Sequence, residues 1–404
     1  MKISYFRNVK LYRNLTEAVV DALRQIFIDN RYADKVIEKI LKQNPKWGAR
    51  DRRFIAETTY DVVRWYRLFR EATQAAPDDF WKLVGGWVLW KKEELPAWPE
   101  FYGLGQRNFD AALKRISELP VRESIPDWLH AAATSELGLL WPTELKSLNQ
   151  PARVVLRVNT LKVDRAELQN HLLHDEQIAT EAPAAFPDAL LLAERQNIFT
   201  RQAFKDGLFE VQDAGSQLIA PFLNVAPGMR VIDACAGGGG KTLHLAALME
   251  NKGRIISMDT EAWKLDELKK RARRAGVGNI ETRAIDSTKV IKRMEKSADR
   301  LLLDVPCSGL GVLRRNPDAK WKLSSEGLDA VRKTQSEILE SYSNMLKPGG
   351  LMVYATCSIF PSENEKQVQH FLRDHPEFEL QAEHHQWPSD GFDGFYMARM
   401  VRIR

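Results

Sequence analysis

One short segment limits the possible folds of this chain more than any other. Residues 231–242, with the sequence VIDACAGGGGKT, place four consecutive glycines between an apolar strand and a helix. A phosphate loop of the type GxxxxGK[ST] would need glycine in place of Cys235. A dinucleotide fingerprint starting at Gly237 would need glycine or alanine in place of Thr242. What remains is a glycine turn at the carboxyl end of a strand, where an open α/β sheet binds its ligand.

The residues around and after this turn alternate between strand-like and helix-like patterns. From Pro227 onward the strand-like runs are MRVIDA, RIISMD, NIETRA, DRLLLD and LMVYAT, and helical stretches separate them. This order predicts an α/β fold, with a Rossmann-like sheet of mostly parallel strands covered by helices on both faces.

Acidic residues stand where three of the predicted strands end. An aspartate at a strand end is often only a helix cap, but three such features in register are a stronger signal. Asp259, 26 residues after Asp233, is expected to bind a ribose diol, and Asp286 an adenine amino group. Because the pyrophosphate motifs fail, the pattern indicates an adenosine ligand of another kind, S-adenosylmethionine.

Two further domains are predicted before the sheet. Eight of the eleven tryptophans lie between Trp47 and Trp141, and apolar residues recur there at helical spacing, which predicts an all-helical domain over residues 1–145. This periodicity favours core packing of the tryptophans over base stacking. Residues 146–222, with an alternating strand at 153–160 and a helix at 165–173, predict a small α+β module. The ligand-binding domain then spans residues 223–404.

Composition and charge exclude several classes of protein. Hydrophobic residues make up 44% and charged residues 28% of the chain, as in folded rather than disordered proteins. The N-terminal sequence MKISYFRNVKLYRN has no signal-peptide pattern, and no apolar run reaches about 18 residues. We therefore expect a cytoplasmic protein without a membrane partner. The formal net charge of +5 mildly favours an anionic partner.

The three cysteines are more informative than the charge. Their number is odd and none are spaced CxxC, so neither a complete disulfide framework nor a zinc site is expected, and we predict no metal. Cys307 in DVPCSG and Cys357 in ATCS both follow apolar strands and therefore fall at the ligand edge of the sheet. A free cysteine is usually a buried structural residue. A strand-end thiol, however, can act as a nucleophile where electropositive neighbours lower its pKa.

Paired thiols have a specific use in pyrimidine chemistry. Carbon 5 of a pyrimidine is a poor nucleophile, so an enzyme can add a thiolate at carbon 6 and form an enamine that attacks an electrophilic methyl group. Asp304 could stabilise the adduct as an acid or by accepting a hydrogen bond from the exocyclic amine. The proton on carbon 5 must then be removed before the thiolate leaves, and a second thiol is one way to help.

These segments resemble the bacterial Sun (Fmu, or RsmB) type of RNA cytosine-5 methyltransferase. The resemblance rests on DACAGGGGKT, LLLDVPCSGLGVLRRNPDAKW and YATCSIFPSENE, and it continues in RVNTLK, VQDAGSQL and DGFYMARM. It covers nearly the whole chain, including RRFIAETTYDVVRW, which is similar to the end of the family's antitermination-factor-like helical domain. The resemblance implies a class I methyltransferase domain at residues 223–404 and an RNA-binding helical domain at residues 1–145.

The resemblance also implies roles for individual residues. Cys357 would attack carbon 6, Cys307 would assist product release, and Asp304 would face the base. The residues implied to hold S-adenosylmethionine are Cys235, Ala236, Gly237, Gly238, Gly239, Gly240, Lys241, Asp259, Asp286 and Asp304. This chain departs from the family at Gly237-Gly238, where Ala-Pro is usual. Because glycine permits more backbone conformations than proline, the departure concerns cofactor affinity rather than cofactor identity.

RNA is the expected partner, and the chain is expected to be a monomer. Residues 269–274 (KKRARR) fit a solvated helix face, whereas Arg314 and Arg315 follow Cys307 closely and are favoured for phosphate contacts. Within the family, 16S ribosomal RNA is the expected substrate and tRNA the alternative. A non-catalytic RNA-binding ribosome-assembly factor on the same fold is a further alternative. A methyltransferase acting on another base atom would not need the paired thiols.

Overall fold

The computed structural model describes residues 11–404. Residues 1–10, which include the start of the predicted helical domain and most of the segment tested for a signal peptide, lie outside the described residues. The chain forms two compact units. One unit comprises the described part of residues 1–149 with Leu313–Ser325, and the other comprises Gln150–Val312 with Glu326–Arg404.

The first unit is helical throughout its described residues up to 149, as the sequence predicts. Its helices are α1 (Arg13–Phe27), α2 (Ala33–Gln43), α3 (Ala49–Arg64), α4 (Tyr66–Thr73), α5 (Phe80–Trp90), α6 (Gln106–Arg115), α7 (Leu119–Arg122), α8 (Asp127–Leu137) and α9 (Trp141–Leu148). The apolar stripe of α1 is buried against α3 and α5. Trp87 and Trp141 are 2% exposed and the other six tryptophans between Trp47 and Trp141 are partly buried, which agrees with their predicted place in the core.

The second unit begins with a small antiparallel sheet. Its elements are β1 (Val155–Val158), α10 (Arg165–His174), β2 (Thr180–Glu181), β3 (Ala189–Leu192), α11 (Gln202–Lys205) and β4 (Phe209–Val211). The strand order is β2-β3-β1-β4, and every neighbouring pair is antiparallel. Its observed strand and helix at residues 155–158 and 165–174 match the predicted ones.

The larger sheet of this unit is mostly parallel. The elements of this part are α12 (Ala214–Gln217), α13 (Ile219–Phe222), β5 (Arg230–Asp233), α14 (Gly240–Leu248), β6 (Arg254–Asp259), α15 (Ala262–Ala275), β7 (Ile280–Ala284), α16 (Thr288–Lys292), β8 (Ala298–Asp304), α18 (Ser325–Tyr342), β9 (Leu346–Thr356), α19 (Glu365–Asp374), β10 (Phe378–Gln386) and β11 (Phe395–Arg402). Helix α17 (Ala319–Lys322) lies between β8 and α18 in the sequence but belongs to the helical unit. The strand order is β10-β11-β9-β8-β5-β6-β7, in which β5 to β9 are parallel and β11 is antiparallel to both of its neighbours. The predicted Rossmann-like fold is therefore confirmed.

Both faces of the large sheet are buried. Successive residues of a strand point to opposite faces, and here they enter different hydrophobic clusters. Ile232 of β5 packs in the cluster that contains Ile338 of α18 and Phe371 of α19. Its neighbour Val231 packs with Leu245 of α14 and Ile219 of α13. Because helices cover both faces, the accessible parts of the parallel strands are their ends, and this is where a ligand site can form.

The segment Leu313–Ser325, which contains α17, packs within the helical unit. The Lys320 side chain is 1% exposed, and its ammonium donates a hydrogen bond to the carbonyl oxygen of Arg64 at 2.9 Å. The indole N–H of Trp321 donates to the carbonyl oxygen of Val63 at 2.8 Å. The helical unit is therefore not one continuous stretch of the chain, because it also includes a segment that follows β8 in the sequence. No helix in residues 11–404 combines the length and apolar character needed to cross a membrane.

Candidate active site

The glycine turn after β5 is fixed by its backbone conformation and by the next strand. Gly237 and Gly239 have φ angles of +52° and +84°, in the left-handed region that favours glycine. A Cβ atom on Gly239 would lie 2.5 Å from Cγ of Leu268. Asp259, at the end of β6, accepts hydrogen bonds from the backbone N–H groups of Gly237 and Glu261, both at 2.9 Å. Asp259 thus holds the glycine turn in place through the Gly237 N–H and also stabilises the turn after β6 through the Glu261 N–H.

A cavity of about 280 Å³ lies beside this turn. Its walls come from the turn, from the ends of β4, β5 and β8, and from α12 and α15. The lining residues are Val211, Gln212, Ser216, Asp233, Cys235, Ala236, Gly237, Gly238, Gly240, Lys241, Arg271 and Asp304. The cavity therefore includes seven of the ten residues assigned to the cofactor from sequence, and it does not include Gly239, Asp259 or Asp286.

Asp233 contributes an unsatisfied acceptor to the cavity wall. Its Oδ2 accepts a hydrogen bond from the Thr242 hydroxyl at 2.7 Å, whereas Oδ1 has no hydrogen-bond partner among residues 11–404. Burial raises the pKa of Asp233 to about 7, against the Thr242 hydrogen bond and with the help of the nearby Asp304. A buried carboxyl group with a free oxygen fits a ligand that brings a positive charge or a hydrogen-bond donor, as S-adenosylmethionine does.

Lys241 and Asp304 form an ion pair in the wall of the same cavity. The Lys241 ammonium donates to Asp304 Oδ2 at 2.5 Å, and both side chains are largely buried. Burial alone would lower the pKa of Lys241, but the Asp304 carboxylate and, to a smaller extent, Cys357 raise it above its ordinary value. The ion pair with Asp304 therefore keeps the Lys241 ammonium charged in this buried position.

The two strand-end thiols are in contact. Sγ of Cys307 and Sγ of Cys357 are 3.0 Å apart, and the backbone N–H of Cys357 donates to the Cys307 sulfur at 3.3 Å. The hydrogen bond with Cys357 and burial raise the pKa of Cys307 well above its ordinary value. The raised pKa favours the protonated form of Cys307, whereas the contact itself allows either sulfur to be the donor. Burial, together with Asp233, Asp304 and Asp259, also raises the pKa of Cys235, so this third thiol is a poor nucleophile.

The basic residues of α15 have two different environments. Lys269 and Lys270 are exposed and pair with acidic residues one helical turn earlier. Arg271 points inward and donates to the carbonyl oxygen of Gly238 at 2.6 Å, and both it and Arg274 pair with the buried Glu210 of β4. The first two fit the predicted solvated face, whereas the two arginines are structural.

Arg314 does not fulfil the expectation of phosphate binding. Its side chain is 7% exposed and its Nε donates to the carbonyl oxygen of Ser147 at 2.8 Å, within the helical unit. Proximity to Cys307 in sequence was the basis of the prediction, but the chain turns into the other unit between these two residues.

Comparisons with known proteins extend over most of the chain. The sequence pattern of the family described as 16S rRNA methyltransferase RsmB/F matches residues 220–400, and that of the RsmF/B-like ferredoxin-like domain matches residues 125–199. The probable ribosomal RNA small subunit methyltransferase B of Synechocystis sp. is 32% identical, covering 91% of this chain and 90% of that protein. The chain belongs to the RsmB/F family. The ribosomal RNA small subunit methyltransferase B of Pseudomonas syringae pv. tomato is also 32% identical, over 74% of this chain and 70% of its own.

A solved structure shares the fold of this RsmB/F chain. The crystal structure of PH0851 superimposes with a TM-score of 0.82 at 26% sequence identity, covering 98% of this chain and all of the other. The family resemblance predicted from the motifs is thus confirmed.

Sequence reasoning missed several residues of the site in this RsmB/F chain. Gln212 and Ser216, from the small module and α12, line the cavity, and Arg157 of β1 donates to the Gly240 carbonyl oxygen at 2.5 Å. The segments RVNTLK and VQDAGSQL, which contain Arg157 and Gln212, carried the family resemblance, and this was the available signal. Asp286 is exposed and accepts a hydrogen bond from Ser287, so its contact with adenine stays a prediction, as does the ribose contact of Asp259.

Proposed function

We propose that this protein is an S-adenosylmethionine-dependent RNA cytosine-5 methyltransferase that modifies 16S ribosomal RNA. The observation that carries the proposal is the contact between Cys307 and Cys357 at 3.0 Å, next to the charged Lys241 of the cavity wall. Family membership supports RNA as the methylated substrate, and the names of the relatives support small-subunit ribosomal RNA. A methyltransferase for another base atom has no use for two adjoining thiols at the reaction site.

Cys357 would serve as the nucleophile. Its thiolate adds to carbon 6 of the cytosine, so the C6–S bond forms and the electron pair of the C5–C6 double bond makes carbon 5 nucleophilic. The Cys307 thiol touches the Cys357 sulfur and can donate a hydrogen bond to it during the attack. S-adenosylmethionine, when bound, supplies the electrophilic methyl group that carbon 5 requires.

Asp304 would orient the base. Asp304 accepts a hydrogen bond from the Lys241 ammonium, and its carboxyl oxygens can likewise accept one from the exocyclic amine of cytosine. Of the two roles that sequence leaves open for Asp304, acceptor for the amine is therefore the better supported, and proton donor to nitrogen 3 is the less supported.

Cys307 would act in the last step. The C5–H bond must break and its electron pair must restore the C5–C6 double bond, while the C6–S bond breaks and its electron pair leaves with the Cys357 sulfur. Cys307 would give its proton to that departing sulfur and take up the proton from carbon 5, so that both thiols are regenerated. Cys307 touches the Cys357 sulfur and is therefore close to these bonds. The residues expected to hold S-adenosylmethionine are those of the cavity wall, with Asp233 Oδ1 as the available polar partner.

Thiol variants test this division of labour. Cys357→Ala should abolish methyl transfer and leave no covalent complex with RNA. Cys307→Ala should still permit attack and methylation, but the product should stay attached and accumulate as a denaturation-resistant protein-RNA adduct on a gel. The double variant should lose that adduct. An adduct that forms with Cys357→Ala and is absent with Cys307→Ala would reverse the roles and contradict the mechanism.

Mapping of 5-methylcytosine tests the substrate. Total RNA from cells with and without the gene should differ at a cytosine of 16S ribosomal RNA. A difference confined to tRNA would replace the proposed substrate, and no difference in any RNA would contradict cytosine-5 methylation by this protein.

A further inference from the structure

The two thiol-bearing loops have a common feature: each cysteine is followed by a buried serine. Ser308 and Ser358 are 7% and 1% exposed, and their hydroxyl oxygens are 3.2 Å apart. Because one serine follows β8 and the other follows β9, their positions report on the spacing of the two loops. Whatever holds these serines also holds the two sulfurs.

One carboxylate receives hydrogen bonds from both loops. Glu363, which is fully buried just before α19, accepts at Oε1 from the hydroxyls of Ser308 at 2.6 Å and Ser358 at 2.5 Å. Its Oε2 accepts from the backbone N–H of Ser308 at 2.8 Å and from the side-chain amide of Gln335 at 3.1 Å. Burying a carboxylate costs free energy because it loses its contacts with water. Since all four donors here are neutral, their hydrogen bonds rather than an opposite charge must offset that cost.

The supporting groups extend the same arrangement. The Gln335 amide also donates to the carbonyl oxygen of Pro306, directly before Cys307, at 3.0 Å. The hydroxyl of Tyr354 donates to the main-chain oxygen of Glu363 at 2.6 Å, which anchors the carboxylate to β9. Glu363 is therefore fixed on one side by the sheet and contacts both thiol loops on the other.

We propose that Glu363 is a positioning residue that holds Cys307 and Cys357 at the separation needed for adduct formation and release. The relevance to catalysis rests on the proposed function, whereas the effect on sulfur spacing does not. Glu363 does not touch the cavity, so its loss should lower kcat and leave the KM for the cofactor unchanged. A displacement of about 1 Å at reacting groups can lower a rate by about 100-fold, which is the size expected for Glu363→Ala.

The Glu363→Gln variant should keep most of the catalytic rate that the Glu363→Ala variant loses. The amide oxygen of Glu363→Gln can accept from the Ser308 N–H and from Gln335, and its NH₂ group can donate to the two serine hydroxyl oxygens. All four contacts can thus be kept without the charge. We expect kcat of Glu363→Gln to stay within about tenfold of the wild-type value.

The decisive measurement needs neither RNA nor cofactor. Diamide accepts the two thiol hydrogens of a nearby cysteine pair, is reduced to the hydrazide and leaves a disulfide, which peptide mass spectrometry can locate. The Cys307–Cys357 disulfide should form at least about tenfold more slowly in Glu363→Ala than in the wild type, because contact of the sulfurs is required. Gln367→Ala is the matched control, since it removes two hydrogen bonds of another buried side chain without touching the carboxylate. Urea unfolding checks that each variant is folded.

The outcomes separate the two proposals. Equal rates of disulfide formation in folded Glu363→Ala and wild-type protein would overturn the positioning role, and so would a Glu363→Gln variant as slow as the alanine variant. If the wild type lacks methyltransferase activity while Glu363→Ala still slows the disulfide, the proposed function fails and the positioning role stands.

Discussion

Replacement of Asp233 by asparagine should change the pH dependence of stability. Asp233 is 1% exposed, and its Oδ1 has no hydrogen-bond partner among residues 11–404. Burial, opposed by Thr242 and assisted by Asp304, raises its pKa from an ordinary 3.8 to about 7. Since one pKa unit is worth about 1.4 kcal/mol, the ionised form is disfavoured in the folded protein by roughly 4 kcal/mol.

The sign of the effect follows from which state holds the proton. Between about pH 4 and pH 7, the folded protein keeps the proton on Asp233 and the unfolded chain has released it, so the free energy of unfolding falls as the pH rises. Above about pH 7 the carboxyl group is ionised in both states and the full cost is present. Asp233→Asn carries no such charge. Between pH 5 and 8 its unfolding free energy should therefore rise by roughly 3 kcal/mol relative to the wild type.

Urea unfolding of both proteins from pH 5 to pH 8 measures this difference. Asp286→Asn is a suitable control, because Asp286 also follows a strand but is exposed, and its curve should run parallel to the wild type. Calorimetry adds a second readout. Binding of the positively charged S-adenosylmethionine should tighten as the pH rises toward 7 in the wild type and should not do so in Asp233→Asn. Parallel pH curves for Asp233→Asn and the wild type would refute the argument from burial.

Two further predictions concern the glycine turn and the helical unit. Gly237→Ala should lower the free energy of unfolding by about 1 kcal/mol, because φ is +52° in otherwise open space, and Gly239→Ala should cost more, because its Cβ would also overlap Leu268. Equal costs in urea unfolding would contradict this. Another variant lacks residues 1–149, and a glycine-serine linker replaces Leu313–Ser325 because that segment packs in the same unit. This variant should bind S-adenosylmethionine as the wild type does, but it should bind RNA more weakly and choose its target site less strictly. Unchanged RNA affinity and selectivity would argue against a role for the helical unit.

The sequence predicted those features that depend on local pattern. The strands of the large sheet are short apolar runs with turn residues between them, and consecutive parallel strands bring their carboxyl ends to one edge. The glycine turn, Asp304, Cys307 and Cys357 all follow such strands, so their proximity could be inferred before the structure was known. The contact of the two sulfurs, although 50 residues separate them, is the strongest example.

Other features depend on contacts between distant segments and leave no local signal. Lys320 reads as an exposed lysine in the run DAKWK, yet it is buried in the helical unit and hydrogen-bonded to a main-chain carbonyl. In the sequence, Arg271 and Arg274 belong to a run of basic residues that suggests an exposed patch. In the structure they point inward because both form ion pairs with the buried Glu210 of β4. The spacing of apolar residues predicts which face of a helix a residue lies on, but it does not predict which other element packs against that face.

The departure at Gly237-Gly238 shows how such distant contacts can substitute for local restraint. Alanine and proline would restrict the turn through their own backbone angles, whereas two glycines leave it free in the unfolded chain. In this chain, Arg271 donates to the Gly238 carbonyl oxygen, Arg157 donates to the Gly240 carbonyl oxygen, and Asp259 accepts from the Gly237 N–H. The turn is thus held from three sides by side chains of α15, β1 and β6. Because β1 belongs to the small antiparallel sheet, that module contributes to the shape of the cavity beside the glycine turn as well as to its walls.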